Sequence, residues 1–237
     1  MKGVILCAGY ATRLYPLTLN KPKALLEIRG KPLLTDIVER IPNEIEKIYI
    51  VSNDKFYYSF VWWLENLKSE FKEKIEIIND ETSTNENRLG GIGDLNFVIE
   101  SKQIDDDILV ILGDNYFNFN LDNFINFFKK VGGTVLGVVS LDKEQAKSFG
   151  VVEIADDKIS SFEEKPENPK SNLVSTGLYI FTKEDLKEIK EYMKTNLNKD
   201  GPGYLIKYFV GIKNVYAYKF DGWWIDIGSI EEYEKIK

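Results

Sequence analysis

The sequence predicts an α/β protein built on a mostly parallel sheet that helices cover on both faces. Short apolar runs recur along the 237 residues, and segments with helical periodicity separate them. The run from Ile108 to Leu112 is apolar at every position, which is typical of a central strand buried on both faces. Neither a repeat nor a low-complexity linker divides the chain, so we expect a single domain over residues 1–237.

The individual elements follow from the apolar pattern. Seven runs are predicted strands, at residues 4–7, 48–51, 75–78, 108–112, 135–139, 178–181 and 215–220. The last run is the least uniform and could lie at an edge of the sheet. Residues 149–153 predict a hairpin. Two apolar stripes predict helices, one with Leu121, Phe124, Ile125 and Phe128 and the other with Leu186, Ile189 and Met193. A third helix is predicted over residues 56–67, whose aromatic side chains favour core packing or a subunit contact over ligand docking.

The composition excludes several classes of chemistry. The chain has no histidine and one cysteine, which excludes a His general base, Ser-His-Asp or Cys-His catalysis, imidazole metal sites and an intrachain disulfide. Acidic residues outnumber basic ones by 38 to 31, for a net charge of −7, so binding to nucleic acid is not expected. Carboxylates, Lys, Arg, backbone amides and a hard cation remain as the means of catalysis.

The sequence also indicates where the protein works. It contains no apolar run near the length of a membrane span, and its first residues show no signal-peptide pattern. We therefore expect a soluble cytoplasmic protein that does not bind membranes, and a homo-oligomer stays open. Cys7 ends an apolar strand and is expected to be a buried, chemically inert side chain.

Small and basic residues follow the first predicted strand. Ala8, Gly9 and Ala11 would let a phosphate or a base edge approach the backbone, and Arg13 and Lys23 could neutralise a polyphosphate. Ligands of open α/β sheets bind beyond the carboxyl ends of the strands, where this segment is expected to lie. The segment is neither a Walker A loop nor a dinucleotide fingerprint. Its basic residues strengthen the prediction of an anion site.

Three more charged residues follow predicted strands. Asp114 comes directly after the buried central run, and Asp226 stands among apolar residues near the end of the chain. Two aspartates that reach one cleft would hold Mg²⁺ through oxygen ligands, whereas either alone is also typical of a turn cap. Lys165, fixed before Pro166, could be a second anion anchor or an ordinary solvated lysine.

Several short motifs stand in order along nearly the whole chain. They are Cys7-Ala8-Gly9-x-x-Thr12-Arg13-Leu14, Pro22-Lys23-Ala24-Leu25, Gly113-Asp114-Asn115, Phe149-Gly150-Val151-Val152, Glu164-Lys165-Pro166, Ser175-Thr176-Gly177-Leu178-Tyr179-Ile180-Phe181 and Trp224-Ile225-Asp226-Ile227-Gly228. Their order resembles the sugar-1-phosphate nucleotidylyltransferases, and the glucose-1-phosphate thymidylyltransferases in particular.

The resemblance implies a Rossmann-like, three-layer α/β/α domain with a mixed, mostly parallel sheet. It also implies an Mg²⁺-dependent enzyme that transfers a nucleoside monophosphate from a triphosphate to a sugar 1-phosphate and releases pyrophosphate. In this reading Arg13 binds the departing phosphates, Lys23 steadies the α-phosphate, and Lys165 holds the sugar phosphate. Asp114 and Asp226 share the Mg²⁺ ion. The other implied contacts are Ala8, Gly9, Tyr10, Ala11, Thr12, Asn79, Asp80, Gly90 and Gly91 for the nucleotide, and Asn115, Gly150, Glu164, Thr176 and Gly177 for the sugar.

The chain departs from the family pattern at two places. Ala8 and Ala11 stand where glycine is usual, so a positive φ at either would be strained. Thymidylyltransferases use two glutamines to help read the base. This chain has Ala24 at the position of the first, and residues 79–94, where the second would stand, contain no glutamine. UTP or dTTP with a hexose 1-phosphate is the expected pair. A CTP-dependent enzyme acting on phosphocholine, inositol phosphate or a similar alcohol stays open, as does a non-catalytic regulator that binds sugar nucleotide.

Overall fold

The computed structural model describes residues 1–68 and 70–237. Within these residues the strands are β1 (Lys2–Leu6), β2 (Glu27–Ile28), β3 (Lys31–Pro32), β4 (Lys47–Ser52), β5 (Ile75–Asn79), β6 (Ile108–Leu112), β7 (Asn115–Phe117), β8 (Val135–Ser140), β9 (Gly150–Ala155), β10 (Lys158–Glu164), β11 (Leu173–Phe181), β12 (Tyr216–Lys219) and β13 (Trp224–Asp226). The helices are α1 (Leu33–Glu39), α2 (Tyr57–Asn66), α3 (Gly91–Ser101), α4 (Leu121–Val131), α5 (Lys143–Ala146), α6 (Asp185–Met193), α7 (Pro202–Ile212) and α8 (Ile230–Glu234).

The main sheet is mixed, as the family resemblance implies. Its strand order is β5-β4-β1-β6-β11-β8-β12-β10-β9. The first four of these strands are parallel to one another, and β8 is parallel to β12. β11 is antiparallel to both of its main neighbours, β6 and β8. The all-apolar run is β6, which lies inside the sheet between β1 and β11 and confirms the predicted central strand.

The run at residues 215–220 does not lie at an edge of the sheet. It contains β12, which has β8 on one side and β10 on the other. The β9–β10 hairpin closes over β12, where Ile159 donates a backbone hydrogen bond to Val215 and Ala217 donates one to Asp157. The uneven apolar pattern has another cause: Tyr218 is only partly buried and packs against the rings of Phe124 and Phe127 on α4.

Two apolar clusters lie on opposite faces of the sheet and give the three layers that the resemblance implies. In β1, Ile5 contributes to the cluster covered by α1, α2 and α4. Val4 and Leu6 contribute to the cluster covered by α3, α6 and α7. The aromatic helix α2 divides in the same way, since Phe60 is buried whereas Trp62 is 66% exposed. No helix in the described part of the chain is both long and apolar enough to cross a bilayer.

A small second sheet determines where the end of the chain lies. β13 pairs antiparallel with β7, with Trp224 opposite Phe117 and Asp226 opposite Asn115. Asn118 supports the approach, because its side-chain oxygen accepts a hydrogen bond from the Trp223 amide at 2.8 Å. The sequence did not predict this pairing. The pairing of β13 with β7 brings Asp226 to the carboxyl end of β6.

Two acidic side chains are buried together between β5 and α3. Asp80 and Asp94 are only 3% and 6% exposed. Burial and the charge of Asp80 raise the pKa of Asp94 to about 8, so Asp94 holds a proton at neutral pH and donates it to Asp80. Thr82 completes the arrangement by donating its backbone and hydroxyl hydrogens to Asp80 at 2.7 and 2.8 Å.

We expect Asp94→Asn to stabilise the protein more at pH 8 than at pH 5. The pKa of Asp94 is about 8 in the folded chain and roughly 4 in an unfolded one. Between these values the folded state holds a proton that the unfolded state lacks, so the contribution of Asp94 to the wild-type free energy of unfolding decreases as pH rises, by about 1.4 kcal/mol per pH unit. Asparagine still donates to Asp80 but does not titrate. Chemical denaturation of both proteins at pH 5, 6.5 and 8 measures the difference, and a difference independent of pH would contradict the assignment.

Candidate functional site

The loop after β1 has the strained position that its alanines suggested. Ala11 adopts a left-handed conformation with φ +48°, which costs an alanine roughly 1–2 kcal/mol. Two hydrogen bonds to its carbonyl oxygen offset this cost, one from the Thr18 hydroxyl at 2.8 Å and one from the Leu14 amide at 3.0 Å. Ala8 is not among the residues with positive φ. The loop keeps its shape without glycine at either position.

Two buried side chains hold this loop from behind. The Asn53 side chain, which is fully buried, donates to the Ala8 carbonyl at 2.8 Å and accepts from the Phe56 amide at 3.0 Å. The Tyr10 hydroxyl lies 3.4 Å from that of Thr82. The side chain of Tyr10 is therefore buried against Thr82, and only the backbone of Tyr10 forms part of the loop surface. Gly9 is exposed, and nothing lies within 4 Å of where its side chain would begin.

Lys23 is the centre of the site. Its ammonium group donates to a carboxylate oxygen of Asp114 at 2.8 Å and to the carbonyl oxygen of Ile227 at 2.9 Å. The side chain is only 16% exposed, so these contacts replace most of its water. Three distant parts of the sequence thus meet at one ammonium group.

Asp114 and Asp226 form an acidic pair beside Lys23. Burial and the charge of Asp114 raise the pKa of Asp226 to about 7, while the charges of Lys23 and Arg13 lower it. The second carboxylate oxygen of Asp114 is buried and has no hydrogen-bond partner among the described residues. An unpartnered oxygen next to a second, mutually repelling carboxylate fits a hard divalent cation. The described residues contain no cluster of three or more His, Cys, Asp or Glu side chains that could hold a metal, so substrate or water oxygens would have to complete the coordination.

A cavity of about 420 Å³ opens over the loop after β1. Its lining brings together residues from four separate parts of the chain: Gly9, Ala11, Thr12 and Arg13, then Lys23, then Asn85 and Arg88, and finally Asp114. Arg13 is exposed and has no ion-pair partner in the described part of the chain. The cavity thus combines cationic groups with a backbone that a phosphate can approach.

A second cavity, of about 160 Å³, adjoins the first at Asp114. Its lining includes every residue expected to contact the sugar or its phosphate, together with both aspartates: Asp114, Asn115, Gly150, Glu164, Lys165, Thr176, Gly177 and Asp226. Lys165 adopts φ +47°, and its amide donates to the Phe149 carbonyl at 3.0 Å. The hydroxyl of Thr176 donates to the Gly137 carbonyl at 2.8 Å, so its side chain is engaged within the protein.

Two polar side chains of this cavity are suited to contact a ligand. The Asn115 amide nitrogen is buried without a hydrogen-bond partner in the described residues, while its oxygen accepts from the Trp224 indole at 3.1 Å. Gly177, at φ +76°, lies beneath it, and a side chain there would begin 2.7 Å from that nitrogen. Burial raises the pKa of Glu164, and the charge of Lys165 opposes that shift. These groups can donate to and accept from hydroxyl groups of a ligand.

Four residues expected to contact the nucleotide make contacts within the protein. Asn79 donates to Asp54 at 2.8 Å and accepts from the Glu81 amide, and Asp80 accepts from Thr82. The Gly91 amide donates to the Asp200 carbonyl at 2.7 Å, and Gly90 packs against the backbone at Lys199. These four residues do not line the first cavity. They flank residues 82–89, and within that segment Asn85 and Arg88 line the cavity.

Sequence reasoning missed three contributors to the site. They are Asn53, which holds the loop after β1, and Asn85 and Arg88, which line the first cavity. Asn53 follows the second parallel strand by one residue, and polar residues at that edge of the sheet were a usable signal. Nothing in the local pattern distinguishes Asn85 and Arg88 from other surface residues.

Known proteins of similar sequence and fold match nearly the whole chain. The chain is 33% identical over 233 residues to the bifunctional protein GlmU of Methanocaldococcus jannaschii, covering 96% of this chain and 51% of the relative. It is 30% identical over 241 aligned positions to the UTP–glucose-1-phosphate uridylyltransferase AglF of Haloferax volcanii, covering 100% and 95% of the two chains. The fold matches that of an apo UDP-glucose pyrophosphorylase, with a TM-score of 0.83 at 22% identity over 100% and 96% of the two chains.

The family comparison extends over almost all residues. Relatives such as the M. jannaschii protein are longer, and the chain spans about half of their length. The model of the nucleotidyl transferase family matches residues 2–237, which include both cavities and the lysine between them. Sequence, fold and site agree that this chain belongs to the nucleotidyl transferase family.

Proposed function

We propose that the protein transfers a nucleoside monophosphate from UTP or dTTP to a hexose 1-phosphate, with Mg²⁺, and releases pyrophosphate. The observation that carries the proposal is the pair of adjoining cavities that share Asp114, to which Lys23 in the first cavity donates a hydrogen bond. The first contains the exposed Arg13, and the second contains Lys165 with polar groups suited to sugar hydroxyls. The name of the H. volcanii relative supports the choice of a uridine donor and a glucose acceptor.

The reaction needs no histidine. A phosphate monoester dianion is already a nucleophile, so the protein must place it against the α-phosphate and neutralise the leaving pyrophosphate. Lys165 would hold the acceptor phosphate in one cavity, and Arg13 and Lys23 would bind the triphosphate in the other. These fixed cations offset the repulsion between two anions that must approach in line. Asp114 and Asp226 would hold Mg²⁺, which supplies further charge neutralisation on the triphosphate when bound.

A screen for pyrophosphate release tests the proposal. It pairs each common nucleoside triphosphate with glucose 1-phosphate, other hexose 1-phosphates, phosphocholine and inositol phosphate, with Mg²⁺ present. Turnover with UTP or dTTP and a hexose 1-phosphate is the expected result. A preference for CTP with a non-sugar acceptor would replace the proposed substrates. The absence of turnover for every pair would overturn the proposal, and nucleotide binding in calorimetry without turnover would favour a non-catalytic regulator.

Asp114→Asn and Asp226→Asn should each lower kcat at least about 100-fold while the protein stays folded. Each change removes a negative ligand for the cation, whose contribution to transition-state charge is several kcal/mol. The Asp226→Asn change also removes a buried carboxyl whose pKa is raised to about 7, so thermal stability should not fall at neutral pH. Steady-state kinetics and thermal denaturation measure both effects. Asp122→Asn, which alters an exposed aspartate on α4, is the control, and wild-type rates in both site variants would refute the metal assignment.

Lys165→Gln and Arg13→Gln should affect different substrates. Loss of a charged hydrogen bond to a phosphate costs roughly 1.5–3 kcal/mol, or about tenfold to hundredfold. We expect Lys165→Gln to raise the KM for the acceptor and Arg13→Gln to raise the KM for the triphosphate or lower kcat. Initial rates with each substrate varied separate the two. Lys170→Gln is the matched control, because Lys170 is 63% exposed and pairs with Glu163 outside the cavity. Equal effects of both variants on both KM values would contradict the assignment.

A further inference from the structure

Two loops meet at an arginine–aspartate pair between the two cavities. We name the two loops after the nucleotide donor and the phosphate acceptor of the proposed reaction. Residues 82–90 are the donor loop, and residues 198–203, which include the first two residues of α7, are the acceptor loop. Arg88, on the donor loop, donates from Nε to one carboxylate oxygen of Asp200 at 3.0 Å and from Nη2 to the other at 3.2 Å. Its third nitrogen donates to the Asn85 carbonyl at 2.8 Å. All three nitrogens of the guanidinium group are thus engaged, which fixes its plane.

The two loops line different cavities. Asn85 and Arg88 of the donor loop form a wall of the first cavity, together with Arg13 and Lys23. Gly201, Pro202 and Gly203 of the acceptor loop line the second, together with Lys165. The Arg88–Asp200 pair therefore joins the wall of the proposed nucleotide site to that of the proposed acceptor site.

Backbone contacts continue the same junction into α3. The Gly91 amide donates to the Asp200 carbonyl at 2.7 Å, and the Ile92 amide donates to the Lys199 carbonyl at 3.0 Å. Gly90 has φ +78°, and a side chain there would begin 2.6 Å from the Lys199 carbonyl oxygen. The two loops are thus in direct contact at Gly90, so we expect displacement of one to move the other.

The acceptor loop also contacts the group that faces sugar hydroxyls. A side chain at Gly203 would begin 2.6 Å from a carboxylate oxygen of Glu164. The other end of the loop is fixed, since Asn198 accepts from the Asp200 amide at 2.8 Å and its carbonyl accepts from the Tyr192 hydroxyl at 2.6 Å. Asp200 stands three residues before Gly203, which lies in the first turn of α7, so its contact with Arg88 joins the donor loop to the segment that packs against Glu164.

We propose that Arg88 and Asp200 are positioning residues that couple nucleotide binding to acceptor binding. The inference rests on the proposed function, since it requires a nucleotide in the first cavity and a sugar phosphate in the second. A nucleotide that contacts the donor loop holds Arg88 in place, and Arg88 then holds the acceptor loop against Glu164. By linkage, the acceptor strengthens nucleotide binding by the same factor. An exposed ion pair adds little to folding stability, so replacing Arg88 should change this coupling and leave the fold intact.

Calorimetry on the complete chain tests the coupling. The dissociation constant of glucose 1-phosphate is measured with Mg²⁺, first alone and then with saturating α,β-methylene-UTP, which cannot transfer its nucleotide. We expect about tenfold tighter acceptor binding with the nucleotide in the wild type, within the usual range for coupled sites. Arg88→Gln and Asp200→Asn should each reduce the factor toward one. The double variant should be no worse than either single variant, because both remove the same interaction.

Arg40→Gln provides a matched control. Arg40 makes a similar two-point contact with Asp36, at 2.8 and 3.3 Å, where the α1 helix ends and away from both cavities. This variant should keep the wild-type coupling factor. Unchanged coupling in Arg88→Gln, losses that add in the double variant, or no coupling in a wild type that binds both probes would overturn the inference and leave the proposed function standing. A wild type that binds neither probe and turns over no pair in the pyrophosphate screen would overturn the proposed function as well.

Discussion

The site depends on one ammonium group. Lys23 donates to the carboxylate of Asp114, which follows β6, and to the carbonyl of Ile227, which follows β13. One ammonium group therefore joins three segments that are distant in sequence. A largely buried lysine is unfavourable unless its charge is paired, and here Asp114 provides the pair. The second oxygen of Asp114 is left without a partner among the described residues, and burial together with the charge of Asp114 raises the pKa of Asp226. In the free protein, the groups that would hold a cation and the α-phosphate are thus held in position but incompletely neutralised.

This local arrangement would let an acidic protein bind the anions that the proposed function requires. The net charge is −7, but Arg13, Lys23 and Arg88 all line one cavity, together with Gly9, Ala11 and Thr12 of the loop after β1. Fixed cations in a partly dehydrated cleft act on a bound phosphate much more strongly than the distant, screened surface acids. Local geometry, and not overall charge, determines the ligand class.

Backbone conformation in the loops that line the cavities departs from the usual preferences of the residues found there. Ala11 and Lys165 both have positive φ, and both lie in loops that line the cavities. Hydrogen bonds from Thr18 to Ala11 and from Lys165 to Phe149 hold these conformations. Gly177 and Gly203 act differently, since the absence of a side chain lets Asn115 and Glu164 approach their backbones. An alanine at position 11 can therefore adopt a conformation that favours glycine, whereas Gly177 and Gly203 have no room for a side chain.

The sequence by itself determined the layers and the central strand, and it supplied candidate residues for the site. Apolar periodicity is local, so β6 and the helical stripes were predictable, and ordered motifs singled out five candidates that line the two cavities: Arg13, Lys23, Lys165, Asp114 and Asp226. The tertiary structure alone decided what lies beside what. The inner position of β12, the β7–β13 pairing that delivers Asp226, and the contact of Arg88 with Asp200 all join segments distant in sequence. Such contacts depend on how the layers pack and which strand edges remain open, and no local pattern of residue types encodes that choice.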